Sequence, residues 1–390
     1  MKLYITTIFL LSAVGSFSQS VLDSVLVMIE KNNTTLSALR ENLEADRIGN
    51  KTGLWPSNPE AEFNYLRGYP RAIGDRTDIA VRQVFDFPTA YAYKSQISEL
   101  KNEQAELVYE RQRKDILHEA RMIVAEVILQ NALITDYNLR AHHAGEIAES
   151  YRKKLDAGEA NILEYNRAQV YLLNVSKKTE IAEIERDALL AELLRLNGGL
   201  PVEFSENLLY QPPVTGNFEQ WYAMAEQNNP VLKWIRQELA LNQKQKQLQV
   251  SQTLPRISAG YMSEKVVGEH FQGVTMGISI PLWENKNAVR HASAKIIATE
   301  KLQADAKLQF YIEMKTRYEK VAALQNSISS YERMLETFNS RQLLLKALNS
   351  GEISLNEYFV ELGLYYDSMS KLHEMKHDMI IAWFELVRFQ

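Results

Sequence analysis

Cysteine is absent from all 390 residues. Its absence excludes disulfides, thiolate metal sites, a catalytic thiol and the acceptor for a bacterial lipoprotein acyl chain. A basic block is also missing. The 44 Lys and Arg and 49 Asp and Glu are mixed along the chain for a net charge of -5, so nothing is arranged to follow phosphates and a nucleic-acid partner is not expected. No phosphate loop or nucleophile elbow occurs. Beyond the N-terminus no run reaches the roughly 18 consecutive apolar residues that a membrane-crossing helix needs. Glycine and proline are missing from Thr89 to Ala144, Glu159 to Asn197 and Leu282 to Ser350. Three stretches without a helix breaker are left, each much longer than an ordinary globular helix.

What is present is a sequence stated twice. Glu30, Asn32-Asn33, Leu36, Arg40, Leu43, Pro59 and Tyr65 recur 196 residues later as Glu226, Asn228-Asn229, Leu232, Arg236, Leu239, Pro255 and Tyr261. Leu155-Asp156-Ala157-Gly158-Glu159 with Glu164-Tyr165 recurs at offset 193 as Leu348-Asn349-Ser350-Gly351-Glu352 with Glu357-Tyr358. A period this long indicates two fused copies of one supersecondary design. Residues 1–18 read as a secretory signal cleaved after Ser18, from Lys2, the apolar run Leu3 to Val14 and the small residues that follow. The first copy then spans 19–200 and the second 201–390.

Each copy begins with a helical pattern, Val21 to about Lys51 and Phe218 to Gln252, and continues into two alternating runs. Ala61, Phe63 and Tyr65 alternate with Glu62, Asn64 and Leu66. Ile79, Val81, Phe85 and Phe87 alternate with Asp78, Arg82 and Asp86. In the second copy Ile257, Ala259 and Tyr261 lead to Val274, Met276, Ile278, Ile280 and Leu282. A constant offset of 196 would turn the last strand inside out, because one residue of register swaps the faces. An offset of 197 pairs Ile79 with Met276, Val81 with Ile278 and Phe85 with Leu282, so the extra residue belongs in the hairpin loop.

Helices of about 60 residues would be roughly 90 Å long and call for coiled-coil packing. Four strands are too few to close a barrel and leave open edges. Their charged face suits a wet lumen and their apolar face suits lipid. An exported chain of this kind must share its barrel with copies of itself.

The chain resembles the TolC-like outer membrane efflux proteins over essentially its whole mature length. The resemblance rests on the signal, the duplicated helix–hairpin–long-helix plan, the strand exits Phe85-Asp86-Phe87-Pro88 and Ile280-Pro281-Leu282-Trp283, and the paired glycine turns. It implies a mainly α fold with a membrane β-barrel: long coiled-coil hairpins forming a periplasmic α-barrel, with four strands per protomer of a trimeric twelve-stranded outer-membrane barrel. It implies a passive duct in the outer membrane for metal ions or small toxic compounds, working with a periplasmic adaptor and an inner-membrane RND-type pump, with no cofactor. Compact length and short termini look most like the heavy-metal (cobalt–zinc–cadmium) branch. A coiled-coil scaffold or an adaptor is the alternative from another class.

The resemblance implies that the turn positions Lys154, Leu155, Gly158, Leu348 and Gly351 receive the adaptor. The plainer reading is that the glycines only permit the turn. It implies that Glu164, Glu357 and Glu361 ring a periplasmic aperture that attracts cations. Ordinary exposed coiled-coil glutamates are the alternative. Phe63, Tyr65, Ile79, Val81, Phe85, Met276, Ile278 and Ile280 are the expected lipid-facing residues. His373-Glu374-Met375-Lys376-His377 spells the zinc-protease pattern. Only 13 residues follow His377, and the duplicated positions are Glu180 and Ile184, so neither a metal site nor catalysis is expected.

Overall fold

The computed structural model describes residues 22–202, 206, 217–338 and 340–389. The expected signal lies outside the described residues. The first half runs α1 (22–32), α2 (Thr34–Gly49), β1 (Glu60–Leu66), β2 (Arg76–Phe85), α3 (Pro88–Asp156) and α4 (Ile162–Leu196). The second half repeats the order as α5 (Phe218–Asn228), α6 (Pro230–Ser251), β3 (Arg256–Val266), β4 (Glu269–Ser279), α7 (Ala288–Thr337), α8 (Arg341–Ser350) and α9 (Leu355–Leu386).

Two expected single helices are broken, both at the repeated asparagine. Asn33 ends α1, and its Oδ1 accepts from the Leu36 N–H at 2.8 Å while its Nδ2 donates to the Leu196 carbonyl at 2.8 Å. Asn229 caps α6 by accepting from Val231 and Leu232 N–H groups, and Pro230 takes the first helical position, where its missing N–H costs nothing. Helix α3 has 69 residues, about 100 Å at 1.5 Å per residue. Gly145 lies inside the helix; one glycine costs only about 1 kcal/mol relative to alanine. The 282–350 stretch is not continuous either. It is interrupted between Thr337 and Arg341, giving the 50-residue α7 and the 10-residue α8.

The chain forms two compact units. One comprises the described parts of Met1–Ala38, Gln112–Asn228 and Phe310–Gln390. Its apolar residues recur three and four apart, as in Leu117, Ala120, Val124 and Val127 of α3, which close on Val25 and Ile29 of α1 and on Leu193 and Leu196 of α4. Val321 and Ile328 of α7 pack with Met379, Ile380 and Phe384 of α9 in a second cluster. A third gathers Ile147 and Tyr151 of α3, Ala168 of α4, Leu348 of α8 and Leu355, Tyr358, Leu362 and Tyr366 of α9.

The other unit comprises Leu39–Arg111 and Asn229–Gln309. Its helices are joined by polar pairs: Arg47 with Glu106, Gln104 with Glu238 at 2.8 Å and buried Asn242 with Thr299 at 3.0 Å. It also holds one antiparallel sheet of order β1-β2-β3-β4. Among the described residues β1 and β4 are each paired on one side only.

Candidate functional site

Register assigns each strand residue to a face. Phe63 pairs with Ile79, Ile79 with Ser263, Val81 with Tyr261, Phe85 with Ile257, and Ile257 with Ile278. Phe63, Tyr65, Ile79, Val81, Phe85, Met276 and Ile278 therefore share one face. The expected change of offset within the hairpin loop gives this same grouping. Ile280 does not join them; β4 ends at Ser279, and Pro281 cannot donate to a ladder.

The opposite face carries Glu60, Glu62, Asn64, Arg76, Asp78, Arg82, Arg256 and Glu264. Arg76 Nε lies 2.8 Å from Asp78 and 3.2 Å from Glu264, and Arg82 lies 2.9 Å from Glu60. Along β3 every residue of this face is half-buried, whereas Ile257, Tyr261 and Lys265 on the other are exposed. In β2, Asp78 is 7% exposed, while Ile79 and Val81 are 48% and 44% exposed. At Asp78 and along β3 the charged side is the sheltered one and the apolar side is exposed, the reverse of a water-soluble sheet, whereas Glu60, Glu62 and Arg82 are exposed.

The hairpin turns are built alike. Gly158 and Gly351 have φ of 75° and 74°, the left-handed region that favours glycine. Glu159 N–H donates to the Lys154 carbonyl at 2.7 Å and Gly158 N–H to Leu155 at 3.0 Å. The corresponding bonds run from Glu352 to Ala347 at 2.9 Å and from Gly351 to Leu348 at 3.2 Å, so both helices close in the same reciprocal C-terminal motif. Lys154 lies over the Tyr151 ring, and Leu155 is half-buried. Leu348 is buried in the third cluster, so its side chain is packed inward rather than presented at the tip.

The acids after the turns have a local role that spacing did not disclose. Asn161 Oδ1 accepts from Glu164 N–H at 3.0 Å, and the Glu164 carboxylate accepts from Asn161 N–H at 2.9 Å. Ser354 and Glu357 repeat this exchange at 3.2 and 2.8 Å. Both acids complete capping boxes at helix starts, which is reason enough for their duplication. The Ser354 N–H and hydroxyl hold the Glu357 carboxyl below the usual carboxylate range. Glu361 is exposed one turn further on.

The H-E-x-x-H segment lies in α9 with its residues engaged separately. Buried His377 places Nε2 3.0 Å from Glu126, Glu374 pairs with Lys371 at 2.9 Å, and Lys376 pairs with Glu332. Burial pushes the His373 imidazole down. Among the described residues no group of three His, Asp or Glu could hold a metal ion. No described helix is long and apolar enough to cross a membrane.

No protein-family model matches the sequence, and no curated protein matches it. Solved structures do. A membrane protein from Pseudomonas aeruginosa superimposes with a TM-score of 0.78 at 13% identity, covering 94% of this chain and 93% of its own. The outer-membrane channel OprN gives 0.75 at 15%, covering 95% and 90%. CusC, a transmembrane channel, gives 0.73 at 13%, covering 94% and 91%.

The fold is that of an outer-membrane channel. At such low identity the likeness is carried by element order and patterning, and it leaves the roles of individual side chains to the geometry above. Sequence reasoning passed over Trp55 and Trp283, which are 82% and 78% exposed and flank the strand ends where the chain enters and leaves helices. The signal was their position just before β1 and just after β4.

Proposed function

We propose that three copies of this chain join their sheets edge to edge as one twelve-stranded barrel in an outer membrane, with the long helices as its periplasmic duct. The chain is the passive channel component of a tripartite export system, fed through a periplasmic adaptor by an inner-membrane RND-type pump. Metal ions or small toxic compounds are its cargo, and it performs no catalysis. Residues 19–200 and 201–390 are two copies of one design, a reading supported by the repeated element order and by helix breaks at Asn33 and Asn229.

The observation that carries the proposal is the inverted exposure of the sheet. Asp78 in β2 is buried and Glu264 in β3 half-buried while Ile79, Val81, Met276 and Ile278 are exposed, and among the described residues both outer strands are paired on one side only. Lipid satisfies the apolar face, a water-filled lumen satisfies the charged one, and only further copies satisfy the edges. Gly158 and Gly351 mark the adaptor-docking tips in this reading, and Glu164, Glu357 and Glu361 the periplasmic aperture.

The test compares faces. Val81→Arg or Ile278→Arg should lower the yield of membrane-inserted trimer, at about 2–4 kcal/mol for a mid-bilayer site. Arg82→Ala, on the charged face, should leave assembly intact. The opposite ranking in membrane-fraction gels would contradict the reading.

A further inference from the structure

The charged face of the sheet is uneven. Across the register its rows read Asn64–Asp78–Glu264–Phe271, then Glu62–Ala80–Met262–Gly273, then Glu60–Arg82–Gly260–Thr275. Beyond these, β3 and β4 offer only Ser258, Gly277 and Ser279 before Arg256. Close contact enforces the glycine at 260, where a Cβ would come within 2.5 Å of the Val81 carbonyl oxygen; Gly277 faces only Ser258 Oγ, and Gly273 stands in open space.

Phe271 breaks this pattern. It is the one large apolar side chain on its face of β4 and is 60% exposed. Its cross-strand partner Glu264 is held by Arg76, which also holds the nearly buried Asp78, so the row behind the ring is braced. The outward face fixes its level. The row Phe63–Ile79–Ser263–Gln272 gives way to Tyr65–Thr77–Lys265–His270 toward the hairpin ends. Phe271 thus lies where the apolar outer surface ends.

We propose that Phe271, supplied once by each of three copies, forms an aromatic collar just inside the outer mouth of the barrel and sets the largest cargo that can leave. A twelve-stranded barrel with about 4.8 Å between strands and a tilt of about 40° has a backbone diameter of about 24 Å. Between Phe271 and Arg256 the rows of β3 and β4 carry only Met262, glycine, serine and threonine, so three inward phenylalanines take up width that most of these rows leave open. The inference rests on the barrel reading given under Proposed function.

Because the chain has no cysteine, single thiols can report on it directly. Thr275→Cys places a thiol on the charged face beneath the collar, and Met276→Cys places one on the opposite face. Whole cells are treated from outside with a small charged thiol reagent or with a bulky polymer-linked maleimide. The small reagent should modify Thr275→Cys and spare Met276→Cys. The bulky reagent should modify Thr275→Cys slowly, and several-fold faster once Phe271→Ala is added, with the small-reagent rate unchanged. No gain in the Phe271→Ala background would overturn the collar alone. Labelling of Met276→Cys in place of Thr275→Cys by the small reagent would overturn the barrel reading itself.

Discussion

His118 carries a pH dependence that the sequence does not announce. On α3 it is half-buried, and burial first, then the nearby Arg388, Arg121 and Arg317, push it from 6.5 down to about 4 against the opposing pull of Asp115. Between those values the unfolded chain binds a proton that the folded chain refuses, so stability falls as pH drops from 6.5 to 4 and levels off below. Discounted for solvent screening at a half-exposed group, the effect is about 1 kcal/mol per chain. His118→Asn should flatten that slope in unfolding midpoints measured across pH 7 to 4.5. An unchanged slope would place the acid sensitivity elsewhere. This scale was poorly legible in the sequence. Glu164 and Glu357 stood out because they repeat, yet their capping bonds depend on Asn161 and Ser354, whose roles emerge only once the helix starts are fixed. Leu348 stood next to a conspicuous glycine, but burial decides what it offers, and that depends on Tyr358 and Leu362 arriving from α9.

At the level of elements, alternation and the absence of breakers went far. The strands, their parity and the reversed turns followed from residue spacing alone. The breaks at Asn33 and Asn229 did not: Asn229 is followed by Pro230, a local signal left unread, while Asn33 accepts from the Leu36 N–H and also holds the Leu196 carbonyl, which arrives from far along the chain. Asn33→Ala should therefore destabilise the helical unit by about 1–2 kcal/mol, since it removes a cap and leaves a carbonyl unpaired; thermal unfolding with less than a few tenths of that loss would contradict the assignment. At the tips, Gly158→Val and Gly351→Val each face a left-handed penalty of about 1–2 kcal/mol, and nothing crowds the added carbon. The trimer should persist while crosslinking to the adaptor weakens. Ser354→Ala should loosen the same tip by about 1 kcal/mol, seen as faster amide exchange at Leu355–Glu357, whereas Glu357→Gln keeps the cap and changes only charge.

For the whole molecule, the decisive feature is a sheet that makes sense only in company. Its apolar face, charged face and two edges, each paired on one side only among the described residues, demand different environments, and the shared membrane barrel we propose would supply all of them. The channel fold was legible in the sequence because it depends on element order and face parity, which survive when identity to known structures falls to 13–15%. The cargo was not, because no residue pattern in the sequence marks a fitted pocket, and the duct we propose would select by size and charge. The account's central claim is tested most directly by the native mass of the protein extracted from outer membranes in mild detergent. The account requires a single species of three chains that reverts to no stable smaller form without denaturant. A monodisperse single chain, soluble once detergent is removed, would contradict it.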